Sequence, residues 1–168
     1  NIHLRCKHAV DEQPVWFDWN LLEKVYFNFL SNAFKNVPDG GYIRVELNVK
    51  SLSELAIFVP ARLNKYKNPE IKYLTVSIQD NGVGIDPDEL EKIFRPFYQV
   101  AQNEHSKSGT GIGLSLSKAI IEMHHGVVWA DNAPDSGAVF QFVLPIDKNG
   151  FDPETMVESS SNETVLFN

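Results

Sequence analysis

Two asparagines and a lysine open the chemical reading. Asn28 and Asn32 stand four residues apart and Lys35 follows three later, so on a helix all three side chains project from one face. Amide oxygens suit a hard cation. Mg²⁺ takes few protein oxygens, keeps several waters and fills its shell with phosphate, so such a helix can hold Mg²⁺ against a polyphosphate. Alone, the triplet reads equally well as a solvated helix face.

Two glycine-rich stretches carry the rest of the chemistry. Asp80-Asn81-Gly82-Val83-Gly84-Ile85 follows an alternating apolar run. A carboxylate at a strand end can accept a hydrogen bond from an exocyclic amine such as that of adenine, and Gly82 and Gly84 let backbone approach a planar ligand. A plain Asp-x-Gly turn is the simpler alternative; a calcium loop lacks the alternating oxygen ligands it would need. Gly109-Thr110-Gly111-Ile112-Gly113-Leu114 precedes a helical pattern, where free backbone N–H groups and the positive dipole end can receive phosphate oxygens. A dinucleotide fingerprint is excluded by context, because a long polar loop rather than a strand comes before it, and a P-loop is excluded by the missing Gly-Lys-Ser/Thr.

These residues need elements to position them. Asp18 precedes Leu22, Val25, Phe29, Ala33 and Phe34, spaced for a helix that Pro38-Asp39-Gly40-Gly41 stops. Short strands are expected from Asn1 to Lys7, Tyr42 to Val49, Tyr73 to Gln79, Val127 to Ala130 and Val139 to Leu144, with a further possible strand from Leu55 to Val59. Glu89 to Phe94 suggests a short helix, Tyr98 to Gly111 a loop long enough to act as a lid, and Ile112 to His124 a packed helix stopped by Gly126. The expected domain runs over residues 1–147. Residues 148–168, acidic and with Ser159, Ser160 and Ser161 consecutive, read as a linker or tail.

Composition narrows the function classes. The net charge is -7, and no basic stripe suits a phosphate backbone, so nucleic acid is not an expected partner. The single cysteine, Cys6, excludes an internal disulfide framework. No apolar run approaches the ~20 residues that span a bilayer.

Each motif is weak alone, but their order is specific. Asn28-x-x-x-Asn32, then Asp80-x-Gly82-x-Gly84, then Phe94-x-x-Phe97, then Gly109-x-Gly111-x-Gly113 resembles the N, G1, F and G2 boxes of the GHKL ATPase and histidine kinase superfamily, over about Asp18 to Pro145. Locally, Asn28-Phe-Leu-Ser-Asn32-Ala-Phe-Lys35, Ile93-Phe-Arg-Pro-Phe97-Tyr98-Gln99 and Gly111-Ile-Gly113-Leu-Ser-Leu-Ser-Lys118 are similar to sensor histidine kinases rather than to gyrase, Hsp90 or MutL relatives.

The resemblance implies an α/β (α+β) two-layer sandwich, a mixed sheet with about three helices on one face, binding ATP with Mg²⁺ and releasing ADP. It implies that Asp80 binds the adenine amine, with Gly82, Gly84 and Ile85 around the base; that Asn28 and Asn32 ligate Mg²⁺ and Lys35 touches phosphate; and that Gly109, Thr110, Gly111, Ile112, Gly113 and Leu114 hinge the lid and present amides to phosphate. Phe94, Phe97 and Tyr98 would anchor the lid's other end. Hydrolytic relatives carry a glutamate at the position of Asn28 to activate water; an amide is a poor general base, so phosphoryl transfer to a histidine is expected in place of hydrolysis. Two positions depart from the pattern. Asn36 stands where an aromatic residue usually lies near adenine, and Gln99 where a basic residue often follows Phe-Tyr, which leaves Lys107 or His105 to serve the phosphates.

None of His3, His8, His105, His124 and His125 has the surroundings of a phosphoacceptor. The acceptor is expected on a dimerisation domain of the same protein, with a response regulator receiver domain as an indirect partner. The isolated domain is expected to be monomeric, the full-length protein a homodimer, and this part a cytoplasmic domain of a membrane-anchored parent.

Overall fold

The computed structural model describes residues 1–9, 15–58, 70–99 and 110–147. Its strands and helices follow in the order β1 (His3–Ala9), α1 (Trp19–Asn36), β2 (Tyr42–Ser51), α2 (Leu52–Phe58), β3 (Lys72–Asp80), a 3₁₀ turn (Lys92–Phe94), α3 (Gly113–Met123), β4 (Val127–Asn132) and β5 (Ala138–Pro145). They build one mixed sheet of order β1-β2-β3-β5-β4, in which only the β1–β2 pair is parallel. That pairing follows from α1, which carries the chain back across the sheet between the two strands, whereas antiparallel neighbours need no such crossover.

α1 begins where Asp18 leaves helical geometry and its Oδ1 accepts from the Leu21 N–H at 3.2 Å. It buries Leu22, Val25, Phe29 and Ala33, one stripe at helical spacing. Val37 is extended ahead of Pro38, which ends the helix. The stripe meets the sheet face formed by Ile43, Val45, Val76, Ile78, Phe140, Phe142 and Leu144, with the Phe29 ring centroid 5.3 Å from that of Phe140. α3 adds Ile120 and Ile121, and the 3₁₀ turn adds Ile93 and Phe94, to the same core. Two long helices and one turn therefore cover this face.

The expected strand from Leu55 to Val59 is corrected: residues 52–58 are helical. The Glu54 carboxylate accepts from the N–H and the hydroxyl of Ser51 at 2.7 Å each, and the Ser51 hydroxyl accepts from the Glu54 N–H at 3.4 Å. This reciprocal box satisfies N–H groups that a helix start leaves over, and it outweighs the β propensity of the run. Leu55 packs with Ile71, Tyr73, Trp129 and Val143. Tyr73, Trp129 and Val143 alternate along their strands with members of the main core, so α2 lies on the opposite face of the sheet. The short helix expected from Glu89 is a turn that closes into the 3₁₀ segment. β1 runs to Ala9 and is exposed throughout, an edge strand paired to β2. The expected tail at 148–168 lies outside the described residues.

Candidate functional site

Asp80 is the last residue of β3, a central strand, and is 1% exposed. Its Oδ1 accepts from the backbone N–H of Gly82 at 2.8 Å and of Ala138 at 3.3 Å. Among the described residues both bonds end on Oδ1, which leaves Oδ2 as the acceptor for an incoming donor. Burial pushes the carboxyl above the usual aspartate range, and the Gly82 and Ala138 amides pull partly back. A buried carboxylate kept short of donors on one oxygen is suited to an uncharged N–H ligand.

The glycines beside it are required by close approach. A Cβ on Gly82 would stand 2.2 Å from the Asn36 carbonyl oxygen, and one on Gly137, whose φ is +92°, would stand 2.0 Å from the Asp80 carbonyl oxygen. The loop therefore folds flat between the end of α1 and the β4–β5 turn. Its far end is held by Asn132, whose Oδ1 accepts from the Ile85 N–H at 2.7 Å while its Nδ2 donates to the Ile85 carbonyl at 2.6 Å. Asn81 Oδ1 accepts from the Tyr42 N–H at 2.7 Å, joining the loop to β2. Sequence reasoning passed over Asn81, Asn132 and Gly137. The short polar turn that contains the last two was visible, but its partner 47 residues upstream was not.

α1 brings Asn28 and Asn32 to the site, and packing of α1 on α3 joins Asn28 to the second glycine stretch. Asn28 Nδ2 donates to the Gly113 carbonyl and to Ser117 Oγ, 3.1 Å each. Asn32 is half-buried and Lys35 exposed at the last turn. The Asn36 amide donates to the Asn32 carbonyl at 2.8 Å, turned back on its own helix. No cluster of three or more His, Cys, Asp or Glu that could hold a metal occurs among the described residues. A cation here would lean on amide oxygens and ligand phosphate, which suits Mg²⁺ better than zinc.

The two described flanks of the segment expected to act as a lid meet. The Phe97 N–H donates to the Gly111 carbonyl at 2.9 Å, and a Cβ on Gly111, whose φ is +67°, would collide with the Phe97 backbone at 2.8 Å. Phe94 is buried in the core as expected of an anchor. Phe97 is not: it is 76% exposed and its φ is 62°, so its link to Gly111 is made by backbone. Tyr98 is tied through its hydroxyl to the Glu89 carboxylate, which also pairs with Lys92 at 3.1 Å. Thr110 leads into Gly111, and Ile112 and Leu114 continue from it into the first turn of α3. Lys107 and Gly109 lie outside the described residues.

A separate cavity of about 580 Å³ lies between α3 and β4, lined by residues that include Leu90, Glu91, Lys118 and Trp129. Of the expected site residues it holds only Phe94, and its walls mix both signs of charge over an apolar floor, so it offers no converging set for a polyphosphate. The site at Asp80 has the better chemistry.

Residues 17–148 match the family model described as histidine kinase-, DNA gyrase B-, and HSP90-like ATPase. The chain is 37% identical over 131 residues to the sensor histidine kinase TmoS of Ectopseudomonas mendocina, covering 77% of this chain and 12% of that protein. It is 34% identical over 151 residues to the adaptive-response sensory kinase SasA of Prochlorococcus marinus (strain MIT 9313), covering 89% of this chain and 36% of the relative. The chain thus spans about a third or less of these relatives. The mycobacterial sensor histidine kinase MprB superposes with a TM-score of 0.63 at 26% identity, covering 86% of this chain and 82% of that one.

Proposed function

The chain belongs to the histidine kinase-, DNA gyrase B-, and HSP90-like ATPase family, and we propose that it is the Mg-ATP-binding catalytic domain of a two-component sensor kinase, passing the γ-phosphoryl group to a histidine on a separate dimerisation domain. The observation that carries this reading is Asp80, a buried carboxylate with both backbone bonds on one oxygen. Its Oδ2 accepts from the exocyclic amine of adenine, and Gly82, Gly84 and Ile85 shape the slot for the ring. Asn28 and Asn32 offer amide oxygens to Mg²⁺ and Lys35 meets phosphate. The first turn of α3, with Gly111, Ile112, Gly113 and Leu114, gives amides to the phosphate chain, and Thr110 leads into it. Lys107 and Gly109 complete the lid.

When bound, Mg²⁺ supplies neutralisation of the charge on the transferring phosphoryl group. The protein's own part is to orient and to withhold a base. Asn28 carries no carboxylate and its amino group is engaged by Gly113 and Ser117, so nothing at that position takes a proton from water. ATP is held until an imidazole arrives in line, and ADP is left. An apolar stripe of Trp19, Phe27 and Phe34 exposed along α1 supports docking of a partner domain. We place a response regulator receiver downstream of the acceptor histidine, and this domain on the cytoplasmic side of a membrane-anchored, homodimeric parent. No helix among the described residues is long and apolar enough to cross a membrane.

The test is incubation with γ-labelled ATP and Mg²⁺, with and without a helical hairpin bearing the acceptor histidine. Acid-labile label on the hairpin, with little free phosphate when it is omitted, supports transfer. Equal phosphate release in both mixtures makes the chain a hydrolase and overturns the proposal.

A further inference from the structure

We infer that Ser117 is a positioning residue: with the Gly113 carbonyl it forms an acceptor pair that fixes which end of the Asn28 amide is offered to a cation. The inference rests on the nucleotide reading above, but its geometry stands apart from it. Ser117 is fully buried in the first turns of α3. Its hydroxyl donates to the Gly113 carbonyl at 2.9 Å, so the hydroxyl hydrogen is spent and a lone pair remains. Asn28 reaches the Gly113 oxygen and Ser117 Oγ at 3.1 Å each.

A carbonyl only accepts, and Ser117 Oγ has already donated, so the atom of Asn28 that faces them must be Nδ2 and not Oδ1. The side chain's orientation is therefore set by chemistry and not by the usual ambiguity of amides. The two acceptors stand 2.9 Å from each other, both on the Nδ2 side of the amide. Oδ1 is turned away from the pair. It lies 3.1 Å from where a Cβ on Gly113 would stand, beside the first turn of α3 that would receive phosphate. The same pair disfavours a carboxylate at position 28, because its oxygen would face the Gly113 carbonyl. The helix that binds phosphate thus also selects the neutral, non-basic side chain.

The test has two arms. In the free chain, nuclear magnetic resonance of the Asn28 side-chain amide should show an Nδ2 hydrogen shifted and protected from exchange. Two freely exchanging hydrogens would overturn the inference whether or not nucleotide binds. In the second arm, ADP affinity is measured by calorimetry with Mg²⁺ and with chelator. Ser117→Ala removes one acceptor and should cut the strengthening by Mg²⁺ roughly threefold to tenfold, the value of one modest hydrogen bond. The Mg²⁺-free affinity should change by no more than roughly twofold. Ser117→Thr, which keeps the hydroxyl, should restore the wild-type ratio. An unchanged ratio in Ser117→Ala, or a parallel fall of both affinities as general loosening would give, overturns the inference. Wild type that binds no ADP in either state refutes the nucleotide reading itself, while the resonance arm still judges the amide.

Discussion

Asp80→Asn should separate binding from stability. In the folded chain the Asp80 carboxyl titrates above the ordinary aspartate range because burial disfavours its charged form. The sign follows from proton counting. Between the unfolded value near 3.9 and the raised folded value the native state binds more protons, so stability falls as pH rises through that window, and the cost persists at neutral pH. Asparagine removes the buried charge and keeps a carbonyl oxygen to accept from Gly82 and Ala138. The thermal midpoint at neutral pH should therefore hold or rise, by about 2–4 °C for each kcal/mol regained in a domain of this size, and the gain over wild type should shrink as pH falls. Binding should move the other way. An amide nitrogen in the place of Oδ2 sets donor against donor, and losing a charge-assisted bond of about 1.5–3 kcal/mol weakens ADP roughly ten- to a hundredfold. Scanning calorimetry against pH and titration calorimetry with ADP read the two effects. A variant that loses stability and affinity together, or that binds within about threefold of wild type, refutes the reasoning.

Other changes test the supports of the site. Gly137→Ala forces a Cβ to 2.0 Å from the Asp80 carbonyl at a φ of +92°; it should both lower the thermal midpoint and weaken ADP binding. Asn132→Ala deletes the two bonds that pin Ile85 without touching the core, so the Ile85 amide should exchange faster by hydrogen exchange and ADP should bind severalfold less tightly, at about 0.5–1.5 kcal/mol per bond. Phe29→Ala empties a fully buried site between Phe140 and Phe142 and should cost about 3–5 kcal/mol in denaturant unfolding. Glu54→Gln weakens the box that starts α2. The Ser51 backbone N–H holds the Glu54 carboxyl below its usual range, so wild type should lose this contribution as pH drops through the lowered value while the variant is indifferent to pH there.

What the sequence made legible was local. The helix carrying Asn28 and Asn32 announces itself by Asp18, by five apolar residues at helical spacing, of which Phe34 is exposed, and by Pro38, and α1 is found between those signals. Strands β2, β3, β4 and β5 alternate clearly enough to be read within two residues of their ends. α2 was hidden, because Leu55-Ala-Ile-Phe-Val suits a strand and the Ser51–Glu54 box that decides the matter is a side-chain exchange across only four residues. β1 gives the opposite lesson: its alternation is real, yet every residue is exposed, so the pattern reports backbone pairing and no buried face. The site was legible as motifs but not as contacts. Nothing in the order of residues places Asn132 on Ile85, Gly137 under Asp80 or Ser117 against Asn28, since each contact is made by the closing of the sheet or the packing of α1 on α3.

We propose that Mg-nucleotide lies between α1 and the first turn of α3 with its base at Asp80. Titration of Mg-ADP into the isotope-labelled chain, followed by amide resonances, tests it most directly. Shifts should gather at Asn32, Asn36, Asp80, Gly82, Gly84, Gly111 and Gly113 and leave Glu91 and Trp129 unmoved. Shifts that gather instead at Glu91, Lys118 and Trp129, around the cavity beside β4, or no shifts at all, would rule this placement of the nucleotide out.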